Sequence, residues 1–168
     1  FIETLLSVYD EGEVESFFYL ILENKHQLKR VDLALEPNLK FSTSEIELWS
    51  VILEKLQKQI PIQYILGTTS FYGLEFMVNE NVLIPRPETE ELVEWIIESQ
   101  RLEVRSGKLG LGSERFKILD IGTGSGCISI SLAKNLPNAE VFAIDVSDKA
   151  LAIAQKNAEI NEVKVNFL

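Results

Sequence analysis

Cysteine, histidine and methionine occur once each, as Cys127, His26 and Met77. A single cysteine excludes an internal disulfide, which fits a reducing, cytoplasmic setting. One cysteine and one histidine also cannot make up the usual ligand set of zinc, so no metal is expected. Proline is scarce: there are five, and no two are adjacent. No apolar run approaches the ~20 residues needed to cross a bilayer, so no membrane segment is expected. The opening Phe1-Ile2-Glu3-Thr4 has no basic start leading into a long apolar stretch, and no secretory leader is expected there. Internal repeats and low-complexity tracts are absent.

Positive charge is short as well. Lys and Arg total 16 against 26 Asp and Glu, for a net charge of −10. Tight binding to nucleic acid relies on Lys and Arg neutralising phosphates and releasing counterions. The nearest approach to a basic cluster, Lys25, Lys29 and Arg30, reads as a solvated helix end. Protein or small-molecule partners are therefore favoured, with no direct nucleic-acid contact. What remains is an ordinary globular composition, 46% apolar and 25% charged. A length of 168 residues suits one domain, or one small domain and part of another.

Residues 1–67 read as helical. Val14, Phe17, Phe18, Ile21 and Leu22 make one apolar face over Glu13–Gln27. A further helix starts near Ser42, where Ser42 and Glu45 have capping-box spacing, and carries Ile46, Trp49, Ile52, Leu53 and Leu56. Pro61 interrupts it, and a short helix from Pro61 to Leu66 closes at Gly67. Residues 68–86 read as a β-hairpin connector: Thr68–Val78, a turn at Asn79-Glu80-Asn81, then a strand at Val82–Ile84. Pro85-Arg86-Pro87 opens a helix with Glu88, Glu90 and Glu91 at the positive end of its dipole. Its expected buried stripe is Leu92, Val93, Ile96 and Ile97. An exposed loop is expected over Arg101–Arg115.

Next comes an alternation of strand and helix: Lys117–Ile121, Gly126–Leu136, Glu140–Asp145, Asp148–Asn161 and Lys164–Leu168. It implies an α/β fold with a parallel sheet and right-handed crossovers, of which residues 87–168 hold the first strands. Such a sheet needs further strands and cover to bury both faces, so the domain is expected to be incomplete.

The chemistry concentrates in Asp120-Ile121-Gly122-Thr123-Gly124-Ser125-Gly126, where a strand turns into a helix. Glycines there permit unusual dihedrals and close ligand approach. Gly122 and Gly124 are the expected contacts, with Gly126 serving close packing. A dinucleotide fingerprint would put glycine at position 127, where Cys127 stands, and no Gly-Lys-Ser/Thr follows to make a Walker loop. Asp145 ends the next strand, where its carboxylate could accept both hydroxyls of a ribose or cap a helix, a role open to Ser147 too. Asp120 could hold an amino group of the cofactor or order the loop.

Together, the glycine loop and Asp145 resemble the cofactor motifs of class I methyltransferases, with their Rossmann-like parallel sheet. A more specific likeness lies upstream, in Pro61-Ile62-Gln63-Tyr64-Ile65-Leu66-Gly67, in Phe71-Tyr72-Gly73-Leu74, and above all in Leu83-Ile84-Pro85-Arg86-Pro87-Glu88-Thr89-Glu90. With a helical domain in front, the chain is similar to the release-factor glutamine methyltransferases, also called PrmC or HemK. A sister family acting on a ribosomal protein usually carries Arg-Ser-Pro in place of Arg-Pro-Glu. The resemblance implies methylation, with S-adenosylmethionine, of the side-chain amide of the glutamine in the Gly-Gly-Gln motif of peptide chain release factors. By that match Gly122, Thr123, Gly124, Ser125, Gly126, Asp145 and Asp120 bind the cofactor. Leu83, Arg86, Pro87, Thr89 and Glu90 line the substrate, and residues 1–67 dock the release factor. The family's catalytic Asn-Pro-Pro-Tyr has no counterpart here, so the chain is expected to stop short of it and to be inactive alone.

The remaining candidates have plainer roles. His26 is expected as a surface or capping residue and Cys127 as a packing residue. Trp49 and Trp95 are expected in the core, and Arg86 either pairs with Glu88 or Glu90 or lines the site. Other readings are a nucleic-acid methyltransferase of the same fold, a dinucleotide-dependent reductase, and a non-catalytic docking module. Net acidity and the Pro-Arg-Pro-Glu-Thr-Glu segment disfavour the first, and Cys127 disfavours the second.

Overall fold

A computed structural model describes residues 1–36, 38–105 and 116–168. The chain divides into two compact units, Phe1–Leu66 and Gly67–Leu168.

The first unit is helical: α1 (Ile2–Leu5), α2 (Glu11–His26), α3 (Arg30–Leu35), α4 (Thr43–Gln57) and α5 (Ile62–Leu66). Two starts have the chemistry that helix ends demand, since the first backbone N–H groups have no partner within the helix. Asp10 accepts from the Glu13 amide, and Ser42 and Glu45 form a reciprocal capping box. The core holds Leu5, Val14, Phe17, Ile21, Ile52, Leu56 and Ile62. Two expectations fail here. Ile46, placed on the α4 stripe, is 56% exposed. His26, expected as a surface or capping residue, has its side chain only 7% exposed. It ends α2 beneath α4, where it stacks on Trp49 and accepts a hydrogen bond from that indole.

In the second unit, β1 (Thr68–Phe71) and β2 (Leu74–Met77) form an antiparallel hairpin. Its turn lies at Tyr72-Gly73 rather than at 79–81. Both turn residues have positive φ, 49° and 72°, the conformation of the tight turn that matches strand twist. Asn79–Asn81 is a separate turn, closed by the Asn81 amide on Asn79 Oδ1, and Val82–Ile84 is not a strand. Helix α6 (Glu88–Arg105) follows. It runs through residues 101–105 of the expected loop, and 106–115 lie outside the described residues. Val93 and Ile97 are fully buried, but Leu92 and Trp95 are 43% and 69% exposed, so Trp95 is not a core residue.

Strands β3 (Lys117–Ile121), β4 (Glu140–Ile144) and β5 (Asn166–Phe167) make a parallel sheet in that order, linked by α7 (Cys127–Asn135) and α8 (Asp148–Ile160). Right-handed crossovers in one direction put both helices on the same face. Ile118 packs there with Ile130, Leu132 and Ala158, while Leu119 and Ile121 on the opposite face are 54% and 73% exposed. The expected α/β architecture, with a parallel sheet, a helical region before it and a hairpin between, is therefore present. Among the described residues no helix is long and apolar enough to cross a membrane.

Candidate functional site

The C-terminal ends of β3 and β4 lie side by side because Ile121 pairs in register with Ile144. Parallel pairing thus delivers the loop after β3 and the acid after β4 to one edge of the sheet, the usual ligand edge of open α/β sheets. The Gly122 and Thr123 amides both donate to the Ile144 carbonyl at 2.9 Å, and the Gly126 amide donates to Thr123 O at 2.8 Å. Two backbone bonds on one carbonyl fix the base of the loop.

Asp145 fixes its tip. Oδ2 accepts from the Gly124 amide at 2.8 Å, and Oδ1 from the Ser147 amide at 2.9 Å. Ser147, not Asp145, caps α8, accepting from the Ala150 amide at 3.3 Å. Each carboxylate oxygen can accept two hydrogen bonds. Asp145 is half-buried, so its unused acceptor positions can reach solvent or a ligand.

The three glycines do different work. A Cβ on Gly122 or Gly124 would meet nothing within 4 Å, but both have positive φ, +76° and +56°. They are required by conformation, and they leave open space over the loop. A Cβ on Gly126 would meet Ile130 Cδ1 at 2.8 Å and Ala154 Cβ at 3.2 Å. Gly126 lets α7 and α8 close upon each other.

Asp120 faces inward from β3 and accepts from the Thr123 hydroxyl at 2.7 Å. Thr123 Oγ1 also lies 2.9 Å from Ser129 Oγ, whose single proton has a second acceptor in the Gly126 carbonyl at 3.1 Å. Thr123 and Ser125 are buried. Burial pushes the Cys127 thiol above its ordinary pKa, an effect that a hydrogen bond from Ser125 opposes. Among the described residues no group of three His, Cys, Asp or Glu could hold a metal.

The upstream candidates are placed more loosely. Leu83 is 71% exposed, Arg86 and Pro87 are exposed, and Thr89 is half-buried. Glu90 Oε1 accepts the Tyr72 amide at 2.8 Å, and Tyr72 Oη bonds Glu94 Oε2, so two carboxylates of α6 hold the hairpin turn.

Two residues that brace the loop against β2 escaped the sequence reading. Asn157 on α8 and Asn161, which caps its C-terminal end, are buried, and their amides bond β2 at Met77 and Glu75, with Asn157 also reaching Ser125 O. The available signal was their place on the apolar stripe Ala150, Ile153, Ala154 and Ala158, where an unpaired amide would be costly.

Comparison with known proteins agrees with this anatomy. Residues 3–67 match the PrmC N-terminal domain, and residues 113–168 match a methyltransferase domain. The whole chain is 64% identical, over 168 residues, to the release factor glutamine methyltransferase of Flavobacterium psychrophilum. By sequence, the chain resembles the release factor glutamine methyltransferases along its whole length. The Bacteroides thetaiotaomicron member is 40% identical over 165 residues, 98% of this chain. The chain spans about half the length of these relatives, 56% and 55%. Among solved structures, a Pyrococcus abyssi tRNA (uracil-54, C5)-methyltransferase in complex with S-adenosyl-L-homocysteine has a TM-score of 0.44 at 22% identity, covering 60% of this chain and 22% of that one.

Proposed function

We propose that the full-length protein uses S-adenosylmethionine to methylate the side-chain amide nitrogen of the glutamine in the Gly-Gly-Gln motif of peptide chain release factors, in the cytoplasm. The observation that carries this reading is the 64% identity, along the entire chain, to a protein named for that activity. The donor set at the sheet edge fits the cofactor. Asp145 retains acceptor positions for two ribose hydroxyls, and the space over Gly122 and Gly124 would admit the adenosyl and methionine parts beside bare backbone. When bound, the cofactor supplies an electrophilic methyl group on a sulfonium.

In this proposal the chain's own part is to bind and orient. Asp120 holds the Thr123 hydroxyl and, with the amides on Ile144 O, sets the loop before ligand arrives. Such pre-setting removes ordering cost from the bound state. Gly122, Thr123, Gly124, Ser125, Gly126, Asp145 and Asp120 form the cofactor site. Leu83, Arg86, Pro87 and Thr89 face the protein substrate, and Glu90 holds the hairpin that carries this segment. The helical unit docks the release factor, and the net charge of −10 disfavours a nucleic-acid substrate.

The test is calorimetric titration of S-adenosylmethionine into the full-length protein and its Asp145→Ala variant, followed by mass analysis of a release factor incubated with both. Saturable binding and a 14-dalton-class methyl adduct on the Gly-Gly-Gln glutamine, both lost in the variant, are expected. Absence of binding by folded wild type would overturn the cofactor assignment. Binding without the adduct would overturn the substrate.

A further inference from the structure

The side chain of Asn157 is fully buried and makes three hydrogen bonds. Oδ1 accepts the Met77 amide at 2.7 Å, and Nδ2 donates to Met77 O at 3.0 Å and to Ser125 O at 2.8 Å. The amide therefore pairs with Met77 as the peptide of a neighbouring strand would, and spends its second hydrogen on the glycine loop. Its orientation is determined, because a flipped amide would set oxygen against two carbonyls and NH₂ against an N–H. Asn161, one helical turn on, holds the same strand through Glu75 O at 2.8 Å, and its other hydrogen bond goes to Asn157 O.

From this geometry we infer that Asn157 is a positioning residue that couples the setting of the cofactor loop to that of β2, and through β2 to the Leu83–Glu90 segment. The inference rests on the methyltransferase reading above and deepens it. The two halves of a transfer site, donor loop and acceptor segment, come from sequence stretches some forty residues apart. One rigid planar amide spans Ser125 O and Met77. A shift of the loop on binding tilts that plane and is felt at Met77 directly, with no loop or solvent between. Leu83–Glu90 follows Met77 after a few residues, two of which, Val78 and Val82, are buried and transmit the displacement.

The experiment uses isotope-labelled full-length protein with S-adenosylmethionine as the probe. It reads two signals: the Asn157 side-chain amide resonances, and hydrogen exchange at the Val78 amide. Val78 is a suitable reporter because its own bond goes to Gly67 O at 3.0 Å, not to Asn157. In wild type the cofactor is expected to shift the Asn157 resonances and slow Val78 exchange several-fold. Asn157→Ala should abolish the Val78 response while the cofactor still binds. Asn161→Ala, which loosens the same strand without losing the loop bond, should keep it. A purely structural role predicts faster exchange in both variants with the response to cofactor intact, and that result would overturn the inference. So would cofactor binding to wild type that leaves both signals unmoved, a measurement that stands even where Asn157→Ala does not fold. Failure of the cofactor to bind wild type, seen separately by calorimetry, removes the underlying methyltransferase reading and this inference with it.

Discussion

Trp49 Nε1 donates a 2.9 Å hydrogen bond to His26 Nε2, and that bond decides which nitrogen of the imidazole carries the proton. An indole N–H can only donate, so Nε2 must accept and Nδ1 must hold the hydrogen, which points to Glu45 Oε1 at 3.1 Å. Nitrogen NMR near neutral pH is expected to find His26 as the Nδ1–H tautomer. Trp49→Phe keeps the aromatic packing but releases Nε2. It should destabilise the helical unit by about 1–2 kcal/mol, the cost of leaving a buried acceptor unpaired, measured by denaturant unfolding.

Glu45 makes the helical unit sensitive to acid. Hydrogen bonds from the Ser42 hydroxyl and amide, with His26 assisting, hold its carboxyl below the ordinary 4.5. A depressed folded-state pKa contributes stability above the unfolded value that is lost as pH falls through the folded one. Thermal melts should therefore show the unit's stability falling below about pH 4.5. Glu45→Gln should flatten that part of the profile. An unchanged slope in the variant would assign the acid effect to other carboxylates.

Cys127 should be a slow nucleophile. Burial raises its pKa, so the thiolate that reacts with alkylating reagents is scarcer at neutral pH than for a free cysteine. Its alkylation by iodoacetamide is expected to lag that of an unstructured peptide cysteine and to accelerate on unfolding in denaturant. A rate matching or exceeding the peptide's would contradict this burial.

The glycines of the loop should separate folding from binding. Gly126→Ala places a Cβ 2.8 Å from Ile130 Cδ1 at φ +82°, and a cost of about 2 kcal/mol or more in stability is expected. Gly122→Ala and Gly124→Ala meet no neighbour and should cost about 1 kcal/mol each through backbone strain alone. By contrast, these two should weaken S-adenosylmethionine binding roughly tenfold or more, an effect of about 1.4 kcal/mol. Denaturation and calorimetry on the three variants check the reversal of order.

Local patterns were enough to locate most of the fold. Turn and strand periods marked β3 at Lys117–Ile121 to the residue, the capping box at Ser42 and Glu45, and the parallel alternation that follows. The glycine loop was legible because positive φ at alternate glycines is a backbone requirement written in residue type. The hairpin turn was misplaced because Tyr72 adopts positive φ despite its side chain. It does so held by Glu90 and Glu94, which are distant in sequence. Trp95 and Ile46 look like core by helical period, yet period names a stripe and not how much of it a partner covers.

What the sequence by itself determined, then, is the identity of most of the elements and the family resemblance, since both depend on residue type at short spacing. Only the tertiary structure decided the partners of His26, Asn157 and Asn161, each of them a polar group whose burial is tolerable because a specific acceptor or donor arrives from 19 to 86 residues away. A buried polar side chain is stable only when paired, and pairing at that distance is set by packing, which no local pattern encodes.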